Sequence, residues 1–217
     1  MMSYWPKHID NKSLCFIHIP KTAGTSVQRW MKKTYKLLQK RTHAPVNDPV
    51  VRELDIPKFT IVRNPYDRAV SFYTYRELDL KNKLLHNPKS TILEIELMFH
   101  KKGFNRWAER YFHKPWEESK RVDLYNPTEV MGLVPKYSQS MWVVHKDVLS
   151  VDHVLKMENL EEDFQKIQDI VGVNYGLGHR RVSRHSKKGY QAYYDAPTKK
   201  LIEKYYGEDL DRFEYTY

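Results

Sequence analysis

Six consecutive residues hold a dense set of binding groups. Lys21-Thr22-Ala23-Gly24-Thr25-Ser26 packs one cation, two small residues and three hydroxyls into a single turn. Ahead of it, Leu14 to Ile19 is a short apolar run closed by Pro20, and behind it Val27, Trp30 and Met31 recur at helical spacing. That pattern predicts a strand, a tight loop and a helix start. Pro20 ends the strand because proline cannot donate to a central ladder. The chemistry such a unit suits is anion binding. The first N–H groups of a helix have no partner within it, and the helix dipole adds partial positive charge there, so phosphate binds readily. Lys21 adds a full charge, and Thr25 and Ser26 add hydroxyl donors. A capped helix with Lys21 in solvent would use the same residues. The loop is not a Walker A motif, which sets lysine after its second glycine and directly before the Ser/Thr that holds magnesium. Here Lys21 precedes Gly24.

A second constellation runs from Phe59 to Ser71, FTIVRNPYDRAVS. It is again an apolar strand entering a helix, with Asn64 suited to the cap and Pro65 to the first helical position. Arg63 stands at the strand end and Ser71 eight residues on. A guanidinium fork matches phosphate in charge and shape, and it would equally pair with a carboxylate.

P-K-T-A-G-T-S after an apolar strand resembles the 5′-phosphosulfate loop of sulfotransferases that use 3′-phosphoadenosine 5′-phosphosulfate (PAPS), and the Arg63–Ser71 segment resembles their 3′-phosphate element. The two stand in that family's order, and the nearest likeness is to its carbohydrate and heparan-type members. The resemblance covers residues 14–75 and, more loosely, 135–217. It implies that Lys21, Thr22, Ala23, Gly24, Thr25 and Ser26 hold the 5′ end through backbone N–H and hydroxyl groups, and that Arg63 and Ser71 hold the 3′-phosphate. Lys21 would also offset charge on the bridging oxygen and the departing 5′-phosphate. In the resembling proteins a histidine between the two motifs takes the proton of the acceptor hydroxyl. His43 lies there, and imidazole titrates near neutrality, although a solvent-exposed loop histidine would occupy the same place. His18, beside the loop, reads as a core histidine. Residues 179–190, HRRVSRHSKKGY, carry five Lys/Arg and no acid. A family loop at this point folds over the nucleotide, making Ser183, Arg184, Lys187 and Lys188 candidates for the 3′-phosphate side. Pro135 to Trp142 resembles a segment where relatives carry a glutamine facing the active site, here Gln139. No metal is implied, and 3′-phosphoadenosine 5′-phosphate (PAP) would be the product.

These groups need a scaffold. Strand-helix units predict an α/β fold, a single domain over 1–217 with a mostly parallel central sheet flanked by helices, of the P-loop NTPase-like sulfotransferase type. Both phosphate loops then lie at the C-terminal ends of strands, where open α/β sheets bind ligands. Val151 to Met157 reads as a third strand. The following helix takes its cap from Asn159 with Glu162, buries Leu160, Phe164, Ile167 and Val171, and closes at Gly172. Val50 to Leu54 reads as a short helix or turn, and Ile92 to Phe99 as a buried helix. Trp107, Tyr111, Phe112 and Trp116 interleave with Arg106, Arg110, His113 and Lys114. That mixture suits a helix with one buried face, or a surface that stacks sugars or bases. By resemblance, 77–130 is the variable acceptor-side region. Residues 1–13 form a leader, the first helix ends near Leu38-Gln39-Lys40, and Asp195 caps a late helix stopped by Gly207.

Composition narrows the classes. A net charge of +10 over 217 residues draws anions such as nucleotide, acidic glycan, nucleic acid or membrane. The single cysteine, Cys15, excludes an internal disulfide and reads as a small core residue. No apolar run approaches the ~18 residues of a membrane span, and the first residues lack a signal peptide's apolar core, so a soluble cytoplasmic protein is expected. Two rival readings stand beside the sulfotransferase: a P-loop nucleotide kinase, for which the loop has no lysine after its glycine, and a basic nucleic-acid-binding protein using 179–190.

Overall fold

The computed structural model describes residues 13–35, 43–112, 137–178 and 188–217. The leader before Ser13, the expected helix end at Leu38–Lys40, His113, Lys114 and Trp116, and the basic block through Lys187 lie outside them. In chain order the elements are β1 (Cys15–Ile17), α1 (Gly24–Tyr35), α2 (Pro49–Arg52), β2 (Lys58–Val62), α3 (Pro65–His86), α4 (Thr91–His100) and α5 (Phe104–Phe112). They continue with α6 (Ser140–Val143), β3 (Val144–His145), β4 (Val148–Leu149), β5 (His153–Lys156), α7 (Leu160–Val171), α8 (Ala196–Tyr205) and α9 (Gly207–Arg212). The architecture is α/β. The described residues fall into two compact units, one within 1–63 and 120–181, the other within 64–119 and 182–217.

The first unit holds a parallel three-stranded sheet in the order β1-β2-β5. Phe16 pairs with Phe59, and Ile61 with Leu155. Strand side chains alternate between faces, so Phe16, Phe59, Ile61 and Leu155 share one core cluster with Val27, Trp30 and Met31 of α1. The predicted α7 stripe of Leu160, Phe164, Ile167 and Val171 closes that cluster. Phe164 packs edge-on against Trp30 at 4.9 Å, and cutting such a buried ring back to alanine costs about 3–5 kcal/mol. Gly172 ends α7 in the left-handed conformation, φ 75°, with its N–H on the Gln168 carbonyl. Cys15 is buried, and burial pushes its thiol up to about 12.

One local expectation fails here. Asn159 makes no side-chain cap to α7. It closes a 3-10 turn, Met157–Asn159, and its backbone at φ −112°, ψ 26° is not the extended form from which a cap side chain reaches the helix. Asp163 instead accepts the Lys156 N–H at 2.7 Å, tying α7 to the end of β5. The short helix near Val50 does form, capped by Asp48 on the Val50 and Val51 amides.

The second unit is helical. Asn64 caps α3 as predicted, accepting the Tyr66 N–H at 3.0 Å, with Pro65 opening the helix. α5 has the expected single buried face, Phe104, Trp107, Ala108 and Phe112, with Arg106 and Arg110 exposed. α4 corrects the reading of a buried helix. The helix exists, but Ile92 is 73% and Met98 68% exposed. Its apolar residues are spread around the axis rather than gathered in a stripe, and a helix packed on one side covers only that side. Glu96 is bonded to Arg76 at 2.7 Å. Asp195 caps α8 through the Thr198 N–H, whereas Gly207 does not stop a helix but opens α9. No helix among the described residues is long and apolar enough to cross a membrane.

Candidate active site

The loop after β1 is built on strained backbone. Lys21 and Ala23 both adopt positive φ, 72° and 62°, a left-handed region that costs a non-glycine residue about 1–2 kcal/mol. Left-handed residues set among right-handed ones form the concave backbone in which successive N–H groups can hold an anion. Side-chain bonds keep the loop in place. The Thr22 hydroxyl, fully buried, donates to the Ile19 carbonyl at 2.8 Å. Arg63 Nη1 donates to the Lys21 carbonyl at 3.2 Å. The Ala23 carbonyl takes the Ser26 N–H at 2.9 Å and starts α1. The proton of Thr22 therefore serves the loop itself, while Thr25 is exposed and Ser26 half-buried at the helix start.

Gly24 is the loop's fixed point. A Cβ there would fall 1.6 Å from Nε2 of His18, so only glycine lets the ring lie against the backbone. The ring stacks with Phe16 at 5.4 Å and lies tilted against His43 at 4.1 Å. Gln28 Nε2 donates to its Nδ1 at 2.9 Å. His18 is a core histidine as expected, 9% exposed, and burial, with His43 alongside, holds its pKa well below 6.5.

His43 is not a solvent-exposed loop residue. It is 8% exposed and at φ 76°, a conformation histidine tolerates better than most side chains. Its Nδ1 lies 3.0 Å from the His18 carbonyl. A carbonyl only accepts, so Nδ1 carries the proton and Nε2 the lone pair. Burial lowers its pKa, against the opposing effect of that hydrogen bond. Trp142 Nε1 donates to the His43 carbonyl at 3.2 Å. The result is a fixed, uncharged imidazole with a basic nitrogen at neutral pH.

Arg63 stands at the end of β2, 3% exposed. Its backbone is clamped by Gln139: the Arg63 N–H donates to Oε1 at 2.9 Å and Nε2 donates to the Arg63 carbonyl at 2.8 Å. The glutamine expected to face the site thus acts as a strand partner for the residue that follows β2. Lys21 has its pKa lowered to about 8, first by burial and then by the Arg63 guanidinium.

The first unit therefore brings together Lys21 to Ser26, His43 and Arg63. Ser71 lies on α3 in the second unit, buried, and Lys188 is exposed beside Gly189 in the same unit. Ser183, Arg184 and Lys187 lie outside the described residues. Gln28 was missed in the sequence, though it sits one helical turn beyond Gly24, on the face such spacing shares. Among the described residues no group of three or more His, Cys, Asp or Glu stands together as a metal site. A cation, a constrained anion-binding loop and a neutral base suit transfer of an anionic group to a hydroxyl. The sulfotransferase family model matches residues 8–216 of the chain. No curated protein and no solved structure matches it.

Proposed function

The chain belongs to the sulfotransferase family, and we propose that its donor is PAPS and its acceptor a hydroxyl group, with carbohydrate as the acceptor class. The observation that carries this is the pairing, in one unit, of the Lys21–Gly24 loop with an imidazole whose free lone pair is set by the His18 carbonyl. Bound PAPS supplies an activated sulfur, whose bond to the 5′-phosphate oxygen breaks as the acceptor oxygen bonds to it. His43 Nε2 takes the proton that the acceptor oxygen releases. Lys21 offsets the negative charge that grows on the 5′-phosphate. The Gly24 and Thr25 N–H groups and the Thr25 and Ser26 hydroxyls are the donors to the 5′ end. Arg63 and Ser71 select the 3′-phosphate, with Ser183, Arg184 and Lys188 as further contacts on that side. Catalysis of this kind rests on positioning and charge stabilisation, as in phosphoryl transfer. The +10 charge favours a polyanionic donor and an acidic glycan acceptor.

Calorimetric titration with PAP, with ADP and ATP-magnesium as controls, tests the donor. The expected result is binding that requires the 3′-phosphate and weakens about tenfold to a hundredfold in Arg63→Ala, as for a charge-assisted bond. A preference for ATP-magnesium would return the kinase reading. Indifference to every nucleotide, with salt-sensitive binding of nucleic acid, would favour the basic-protein reading.

A further inference from the structure

The role of His18 goes beyond filling the core. We propose that His18 is a binding group of the same loop, presenting an Nε2–H to an oxygen of the 5′-phosphate end of the ligand. The inference rests on the phosphosulfate reading of that loop.

Gln28 gives the first argument. Its carboxamide nitrogen lies 2.9 Å from His18 Nδ1, and an amide NH₂ can only donate. Nδ1 must then hold its lone pair, which puts the ring proton of a neutral imidazole on Nε2. Position gives the second. Nε2 is the ring atom that comes within 1.6 Å of the Cβ site of Gly24, so the proton-bearing nitrogen lies against the residue where the loop enters α1. No bond from Nε2 to a described residue accompanies the Nδ1 bond. The third argument is rigidity. Phe16 stacks on the ring, His43 lies tilted against it at 4.1 Å and Gln28 holds its Nδ1, so the donor direction is set before a ligand arrives, which lowers the ordering cost of binding. Burial keeps the imidazole uncharged near neutrality, so it would offer a hydrogen bond without adding a third cation to Lys21 and Arg63. The two histidines divide the work by tautomer. Gln28 sets the proton of His18 on Nε2, to donate, and the His18 carbonyl sets the proton of His43 on Nδ1, leaving Nε2 to accept.

The test compares two ligands that differ only in the 5′-phosphate, PAP and adenosine 3′-monophosphate, on the wild type and on His18→Phe, which keeps a flat ring in the stack and removes the donor. The expected result is PAP affinity tenfold to a hundredfold weaker in the variant, with adenosine 3′-monophosphate unchanged. Equal PAP affinity in the two proteins would overturn the inference and leave the donor assignment standing. Absence of PAP binding by the wild type would overturn the loop reading itself. Nitrogen-15 NMR of the wild-type imidazoles decides the matter without a variant: a protonated His18 Nε2 whose resonance moves on adding PAP is expected. A proton on Nδ1, or an Nε2 resonance that ignores PAP, would refute it, whether or not His18→Phe folds.

Discussion

Lys21 makes the strongest prediction because its two perturbing influences act in the same direction. Burial and the neighbouring Arg63 guanidinium both disfavour its charged form, and its pKa falls to about 8. A lysine at its ordinary value near 10.5 would stay charged throughout the range in which proteins are handled. With a pKa of about 8, roughly nine-tenths of the free protein carries the charge at pH 7 and roughly one-tenth at pH 9. A bound phosphate holds the proton on, so the affinity for PAP follows the charged fraction of the free protein. The dissociation constant should therefore rise about tenfold between pH 7 and pH 9. The phosphates of the ligand, with a second pKa near ~6, are already ionised across that window and do not contribute. Lys21→Arg supplies the control, because a guanidinium stays protonated at every pH used and its curve should be flat. Calorimetry at half-unit intervals of pH, at constant ionic strength, is the assay. A wild-type affinity constant within twofold from pH 7 to pH 9 would refute the reasoning. So would an equal rise in the Lys21→Arg variant, since some other group would then be titrating.

Gln139→Ala takes both side-chain bonds from the Arg63 backbone. With a cost of about 1–3 kcal/mol for each buried group left unsatisfied, urea unfolding should show a loss of about 2–6 kcal/mol, and PAP affinity should fall with it. A variant as stable as the wild type would show that water or another side chain takes over the clamp. The buried histidines predict acid sensitivity. The pKa values of His18 and His43 are lowered in the folded protein, so below about 6.5 the unfolded chain takes up protons that the folded one refuses. Stability should be insensitive to these groups above pH 7 and decline as pH falls below that value, by up to ~1.4 kcal/mol per pH unit for each imidazole. His43→Asn, which tolerates the left-handed backbone, should unfold with a shallower pH slope, and an unchanged slope would rule out His43 as a contributor.

How much of this could be read in advance depended on how local the determinant was. The Asn64-Pro65 pair and Asp195 act within a few residues, and each does in the structure what its side chain dictates, whereas β1 stops at Ile17, short of the Pro20 that was expected to end it. The α7 stripe was legible because periodicity alone sets which face is buried. The exposed face of α4 was not, because an apolar composition says how much a helix would bury and nothing about how many neighbours it has. The cap at Asn159 failed through a turn formed immediately before it. The state of His43 was out of reach. Its proton is placed by a carbonyl 25 residues earlier and its backbone is fixed by a tryptophan 99 residues later, and no local pattern encodes either.

The contact between Gly24 and His18 also constrains how this protein can change. A methyl group at position 24 collides with the imidazole, so Gly24→Ala is closed as a first step while the ring is present. A small residue at position 18 opens that space. The two sites form an epistatic pair that can be traversed in one order only, position 18 before position 24. A library that varies the loop alone should return glycine at 24 from every functional clone, whereas one that varies both positions together should reach combinations that no series of single improvements starting at the loop would find.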